Sequence, residues 1–222
     1  MPERPLVVAF DVVETLFPLG PLGERLAQAG QSPDLLPVWF GQLLRDAFAL
    51  TASGGYRPFA DVAIAALRTL APISEATARE VVGGFAGLDP HPDVAEAMQT
   101  LRAAEVRIIT LTNGSAATTS TLLERAGVRD LVEHVVSVDA VRRWKPAPEP
   151  YRHAVEVCDV PAERIALVAA HGWDLHGAHG AGLFTGWVNR SHGRWSDLFD
   201  PPGVTGPDLV SVVRSLVALN PS

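Results

Sequence analysis

The stretch Leu6–Phe17, LVVAFDVVETLF, constrains this chain more than any other: an apolar run ends in a carboxylate, and a threonine follows four positions later. The run is too short for a buried helix and reads as a strand that delivers Asp11 to its C-terminal end. In an open α/β sheet that end is the ligand-binding edge, because the loops diverge there and backbone N–H groups face the crevice. Asp11 is therefore a candidate nucleophile, and Thr15 a hydroxyl placed to orient it or its substrate. An aspartate that merely opens a turn after a strand has the same local pattern, so the rest of the chain has to decide.

Beyond Asp89-Pro90-His91-Pro92 the sequence alternates helix and strand. Helices are expected over Asp93–Ala104, Ala116–Ala126, Pro148–Val157, Gly172–Ala181 and Pro207–Leu219. Strands are expected over Val106–Leu111, Val135–Val138, Ile165–Ala170 and Phe184–Val188. That alternation specifies a parallel sheet with right-handed crossovers. Between the first strand and the second lies a block of helical patterns, Leu22–Ala29, Asp34–Ala52, Phe59–Leu70 and Ser74–Phe85. Four helices exceed what one crossover needs, so this block reads as a lid. The expected division is a core of residues 1–18 and 89–222 and a helical cap of residues 19–88.

Three further clusters fall at the edge that carries Asp11. Thr112-Asn113-Gly114-Ser115 offers a hydroxyl, an amide and glycine-permitted backbone N–H groups to a carboxylate or phosphate oxygen. Lys145, the one lysine among 18 basic residues, would keep neighbouring buried carboxylates ionised. Ala169-Ala170-His171-Gly172-Trp173-Asp174 places an imidazole and an acid just past a strand end. Each cluster alone could be a turn, a surface lysine or a helix cap, whereas four at one edge describe a site.

A net charge of −7 and 47% hydrophobic residues indicate a soluble globular protein and argue against nucleic acid or an anionic membrane as partner. No apolar run approaches the roughly 20 residues of a spanning helix, so the cytoplasm is the expected location. The lone Cys158 excludes an internal disulfide and reads as a buried thiol.

Asp11 to Thr15, Leu111 to Ser115, Lys145-Pro146 and the Asp174 region resemble, in order and spacing, the four motifs of the haloacid dehalogenase (HAD) superfamily. Thr15-Leu16-Phe17, Trp39, Tyr56 to Phe59, Tyr151 and Trp173-Asp174 are similar to the type II 2-haloacid dehalogenases. The resemblance implies a Rossmann-like core with a helical cap inserted after the first strand. It implies an ester formed by Asp11 and then opened by water, with Thr15, Lys145, Tyr151 and Asp174 orienting the nucleophile, holding substrate or positioning the water. Thr112 and Asn113 fall on positions that grip a substrate carboxylate, and Val13, Phe40, Phe59 and Trp173 on the surrounding wall.

The departures from that pattern carry information too. Phosphatases of the superfamily have a second aspartate where this chain has Val13, and an acidic magnesium ligand where it has Ala170. The cap has no lysine for a Schiff base. The halide-receiving arginine of the dehalogenases is Phe40 here, with Arg45 and Arg57 nearby as substitutes, and their asparagine in the fourth motif is His171. The expectation is a hydrolase without a cofactor or metal that acts on a small organic acid, 2-haloacids included, with His171 serving the water that opens the ester. The alternatives are a magnesium-dependent phosphatase with altered ligands and a non-catalytic carboxylate-binding domain. A zinc site of His171, Asp174, His176 and His179 is the competing metal arrangement. The apolar helix with Trp39, Phe40 and Phe48 suggests a homodimer or an inward-facing role.

Overall fold

A computed structural model describes residues 2–191 and 193–220. Six strands form one parallel sheet: β1 (Val7–Phe10), β2 (Arg107–Thr112), β3 (His134–Ser137), β4 (Ile165–Ala169), β5 (Phe184–Val188) and β6 (Val204–Gly206). Their order is β3-β2-β1-β4-β5-β6, so β1 is central and pairs with both β2 and β4. Alternate residues of β1 enter different cores, Val8 and Phe10 on one face and Val7 and Ala9 on the other. Both faces are buried, which explains why the strands read as continuous apolar runs. From β1 the chain steps one way to β2 and β3, then returns to place β4 on the other side and steps outward. The switch point of the sheet therefore lies between the C-terminal ends of β1 and β4, where Asp11 and His171 begin their loops.

Between β1 and β2 stand α1 (Pro21–Gln28), α2 (Leu35–Ala52), α3 (Phe59–Leu70) and α4 (Glu75–Gly83). The remaining helices are α5 (Val94–Ala103), α6 (Ala116–Arg125), α7 (Pro148–Cys158), α8 (Gly172–Gly180) and α9 (Leu209–Val217). Buried Trp39 ties α2 to α3 by donating its indole N–H to the Ala63 carbonyl at 2.8 Å. Trp144, fully buried in the loop before α7, fastens the helical insert to the sheet. Its indole donates to the Arg57 carbonyl at 3.0 Å, its backbone N–H donates to Thr51 Oγ1 at 3.2 Å, and its ring stacks on Phe59.

Three elements differ from the sequence-based expectation. The helix expected over Ser74–Phe85 ends at Gly83, and a 3-10 turn follows over Gly84–Gly87. Gly84 packs where a Cβ would stand 2.3 Å from the Arg25 side chain, so a larger residue there would have to displace the Arg25 and Leu22 side chains of α1. The final helix starts at Leu209 rather than Pro207, because Asp208 caps it by accepting the Ser211 N–H at 2.7 Å. β6 was not expected: it is a three-residue edge strand next to prolines and glycines. The other α-helices and strands lie within a residue of their expected bounds. No helix among the described residues is long and apolar enough to cross a membrane.

Candidate active site

Asp11 follows directly from β1 and is held to β4 by its backbone N–H, which donates to the Val168 carbonyl at 3.0 Å. Thr15 Oγ1 donates to Asp11 Oδ2 at 2.7 Å, and the Ala170 N–H donates to Thr15 Oγ1 at 2.9 Å. The hydroxyl is thus aimed at the carboxylate by the end of β4. Between the two, Glu14 lies at φ 65°, a left-handed conformation that costs a non-glycine residue about 1 kcal/mol. Its carboxylate holds the turn by accepting the Leu19 N–H at 2.7 Å. From the far side Arg190 donates to the Thr15 carbonyl at 2.9 Å while paired with Asp93 at 2.7 Å.

Lys145 is wholly buried, and all three of its ammonium protons are used. Nζ donates to Asp11 Oδ1 at 2.9 Å, to Asp174 Oδ2 at 2.6 Å and to the Leu111 carbonyl at 2.7 Å. Its backbone N–H donates to Asn113 Oδ1 at 2.9 Å, which joins the loops after β2 and β3. Lys145 therefore orients the carboxylates and has no donor left for a substrate. Burial would lower its pKa, but Asp11 and Asp174 outweigh burial and hold it above the ordinary lysine value. Burial would likewise raise Asp11, yet Lys145 and then His171 prevail and keep its carboxyl well below the usual range. Asp174 moves the other way: burial and the charge of Asp11 raise its pKa despite the Lys145 contact. One ammonium between two buried carboxylates thus favours the ionised form of Asp11 over that of Asp174.

Tyr151, also buried, donates to Asp174 Oδ1 at 2.6 Å. Gly177 in α8 makes room for it, since a Cβ there would stand 2.6 Å from the phenol oxygen and 2.7 Å from Pro146.

Asp11 forms the floor of a small cavity of about 20 Å³, walled by Val13, Phe40, Leu44, Phe59 and Trp173 and bordered by Thr112, Asn113 and His171. That volume is on the scale of a single water-sized group. Asn113 spends its carbonyl oxygen on Lys145, which leaves its amide NH₂ for a ligand. His171 Nδ1 lies 3.5 Å from Asp11 Oδ2, a charge contact rather than a hydrogen bond. Burial would lower the His171 pKa, and Asp11 more than offsets it, so the imidazolium is favoured while Asp11 is free. The ring is held from two sides, stacked on Trp173 at 5.3 Å and beside Phe40 at 6.0 Å.

Most of the residues expected from sequence thus meet at one place, and several roles change. Tyr151 does not line the cavity; it supports Asp174 from behind. Thr112 ends β2, and its hydroxyl accepts the Gly114 N–H at 2.9 Å, which fixes the oxygen and leaves its O–H to donate into the cavity it borders. Neither Arg45 nor Arg57 replaces the cation expected at Phe40: Arg45 pairs with Asp46 at the surface, and Arg57 is exposed beside α3. The zinc arrangement does not assemble either. His176 stacks on Phe199, His179 faces Asp200 at 3.6 Å, and no metal-holding group of His, Cys, Asp or Glu occurs among the described residues. Sequence reasoning missed Arg190, Leu44, Gly177 and the clasp role of Trp144. Loop arginines and helix glycines carry no periodic signal, although a glycine inside a helical pattern hints at close approach.

The model of the haloacid dehalogenase-like hydrolases matches residues 7–182. A haloacetate dehalogenase H-2 from Moraxella sp. (strain B) is 28% identical over 93% of this chain and 96% of its own length. An (S)-2-haloacid dehalogenase from Pseudomonas sp. (strain YL) is 26% identical over 96% and 93%. Among solved structures, an L-2-haloacid dehalogenase superposes with TM-score 0.90 at 29% identity, covering 98% of this chain and 100% of the other. A second, from Xanthobacter autotrophicus, gives TM-score 0.86 at 25% identity over 96% and 99%. With the family model matched over most of its length and its fold shared with these solved structures, the chain belongs to the haloacid dehalogenase-like hydrolases.

Proposed function

We propose that the protein is a metal-independent dehalogenase of small 2-haloacids. An oxygen of the Asp11 carboxylate bonds to C2 as the carbon–halogen bond breaks, and the halide leaves with the bonding pair. Water then adds to the Asp11 carboxyl carbon, expels the 2-hydroxyacid and restores the carboxylate, and His171 accepts the proton that the water gives up. The observation that carries this reading is the polarised carboxylate pair: Lys145 holds Asp11 ionised at the floor of the cavity, while the pKa of Asp174 is raised. Val13 beside it has no side-chain proton for a leaving alcohol, and Ala170 has no side-chain oxygen for magnesium, which weighs against the phosphatase alternative. The named activities of the relatives over nearly the whole chain support the same substrate class.

In this reading α1–α4 form the cap over the core, and Asn113 and His171 meet the anionic groups of the substrate. A neutral imidazole would serve the second step better than a charged one, and the chemistry itself supplies the change. Esterification removes the Asp11 charge that raised the His171 pKa, and burial then lowers it. Support for a homodimer is thin, since Trp39 is buried, Phe48 lies on Trp173, and Val38 is the only large apolar side chain of α2 left exposed. The buried, unpaired Cys158 agrees with a reducing cytoplasm.

The test is halide release from chloroacetate, 2-chloropropionate and 2-bromopropionate, with phosphate esters in parallel and each assay repeated after chelation. Halide release that survives chelation is expected. Turnover of phosphate esters alone, restored by magnesium, would assign the protein to the other reading.

A further inference from the structure

A cavity of about 320 Å³ adjoins the small one over Asp11, and Val13, Phe59 and Thr112 line both. Its remaining walls are mainly apolar, with Pro58 and Ile64 of the α3 region, Val82 and Ala86 around α4, and Leu122 of α6. The charged groups along it are already engaged: Arg79 pairs with Glu75, and Asp139 accepts the Tyr56 hydroxyl. A substrate of two or three carbons would leave most of this space empty. An apolar cavity of ~150 Å³ takes a benzene ring, so this one takes an unbranched chain of roughly six carbons or an aryl group.

Resting on the dehalogenase reading above, we propose that this cavity is a tail chamber. The carboxylate and C2 of the substrate sit over Asp11, and an apolar substituent on C2 passes between Val13 and Phe59 into the space between the helical insert and α6. The chamber makes medium-chain or aryl-substituted 2-haloacids better substrates than haloacetate. At C2 the bonds made and broken are those already described, and the chamber contributes binding alone. Each methylene moved from water into it improves kcat/KM about fourfold until the space is filled.

The experiment is a chain-length series of 2-bromo acids from acetate to decanoate, read by bromide release, for the wild type and for Ala86→Phe, with Ala60→Trp at the rim as a second block. Wild-type kcat/KM should climb with chain length and level off near octanoate. Both variants should lose at least tenfold on 2-bromooctanoate and keep 2-bromopropionate within about twofold. A flat or falling wild-type profile overturns the chamber while leaving the dehalogenase reading intact. So does an equal loss on short and long acids, which would make the cavity a passage rather than a binding site. If no acid of any length releases bromide, the dehalogenase reading fails, and calorimetry with halogen-free octanoate and butyrate decides the chamber by itself. Tighter octanoate binding, lost in Ala86→Phe, upholds the chamber, and equal binding of the two acids overturns it.

Discussion

Replacing Lys145 by methionine keeps the length of the side chain and removes its charge, and the structure sets how large the effect must be. Nζ is the sole ammonium between Asp11 and Asp174, both almost fully buried. Deleting one partner of a buried ion pair costs about 3–5 kcal/mol, because the other charge is left uncompensated. In a domain of this size each kcal/mol moves Tm by roughly 2–4 °C, so Lys145→Met should melt roughly 6–20 °C below the wild type near pH 7. The pH dependence carries the sharper information. In the wild type the Asp11 pKa is depressed, so its contribution to stability is present above the unfolded carboxylate value and is lost as pH falls through the folded one. In the variant, burial and the facing carboxylate outweigh what His171 and Tyr151 still contribute, the pKa values rise, and the penalty at pH 7 is relieved as protons bind. The gap between the two proteins should therefore be widest near neutrality and narrow toward about pH 4, close to the unfolded value of an aspartate. Scanning calorimetry at several pH values measures it. A gap below about 1 kcal/mol at pH 7, or one that does not change with pH, would refute the assignment of Lys145 as the counter-ion of both carboxylates.

Two further outcomes are expected. His171→Ala should form the Asp11 ester at a near-normal rate and hydrolyse it about 10²-fold more slowly, so that modified protein accumulates in intact-mass spectra. In the wild type the hydrolysis step should accelerate as rising pH deprotonates His171, with a midpoint below the one seen in the free enzyme. Equal slowing of both steps would remove His171 from the water's path. Gly177→Ala should push the Tyr151 hydroxyl off Asp174, lowering kcat several-fold with little change in KM, and Tyr151→Phe in the same background should add almost no further loss.

The sheet was legible because each inner strand is a contiguous apolar run between turn residues, and because Asp11 and Asn113 stand where such runs stop. β6 was not legible, since three residues with a glycine at the end carry neither an apolar run nor an alternation. That Asp11, Lys145 and Asp174 share one sheet edge was legible from the strand ends they follow and from the motif order, but their contacts were not. Lys145 lies 134 positions from Asp11 and 29 from Asp174, distances over which no periodicity specifies contact. Tyr151 was expected at the site, and its hydroxyl turns out to be engaged by Asp174 rather than facing the cavity. A residue type reveals that a hydroxyl is present, and only packing reveals whether it is already spent on a neighbour. The same holds for Arg45 and Arg57, which look alike in sequence to Arg190 and differ in what lies within reach. The tail chamber could not have been read at all, because its walls come from four separated segments whose apolar residues look like ordinary core.

The covalent role of Asp11 is open to one direct measurement, a single turnover of excess enzyme on 2-chloropropionate in water enriched in heavy oxygen. Water attacks the ester at the Asp11 carboxyl carbon, so the label should appear in the peptide that carries Asp11, while the first lactate released contains ordinary oxygen taken from the enzyme. Label in the first lactate and none in that peptide would mean that water attacks C2 directly, and the aspartyl-ester mechanism would be wrong.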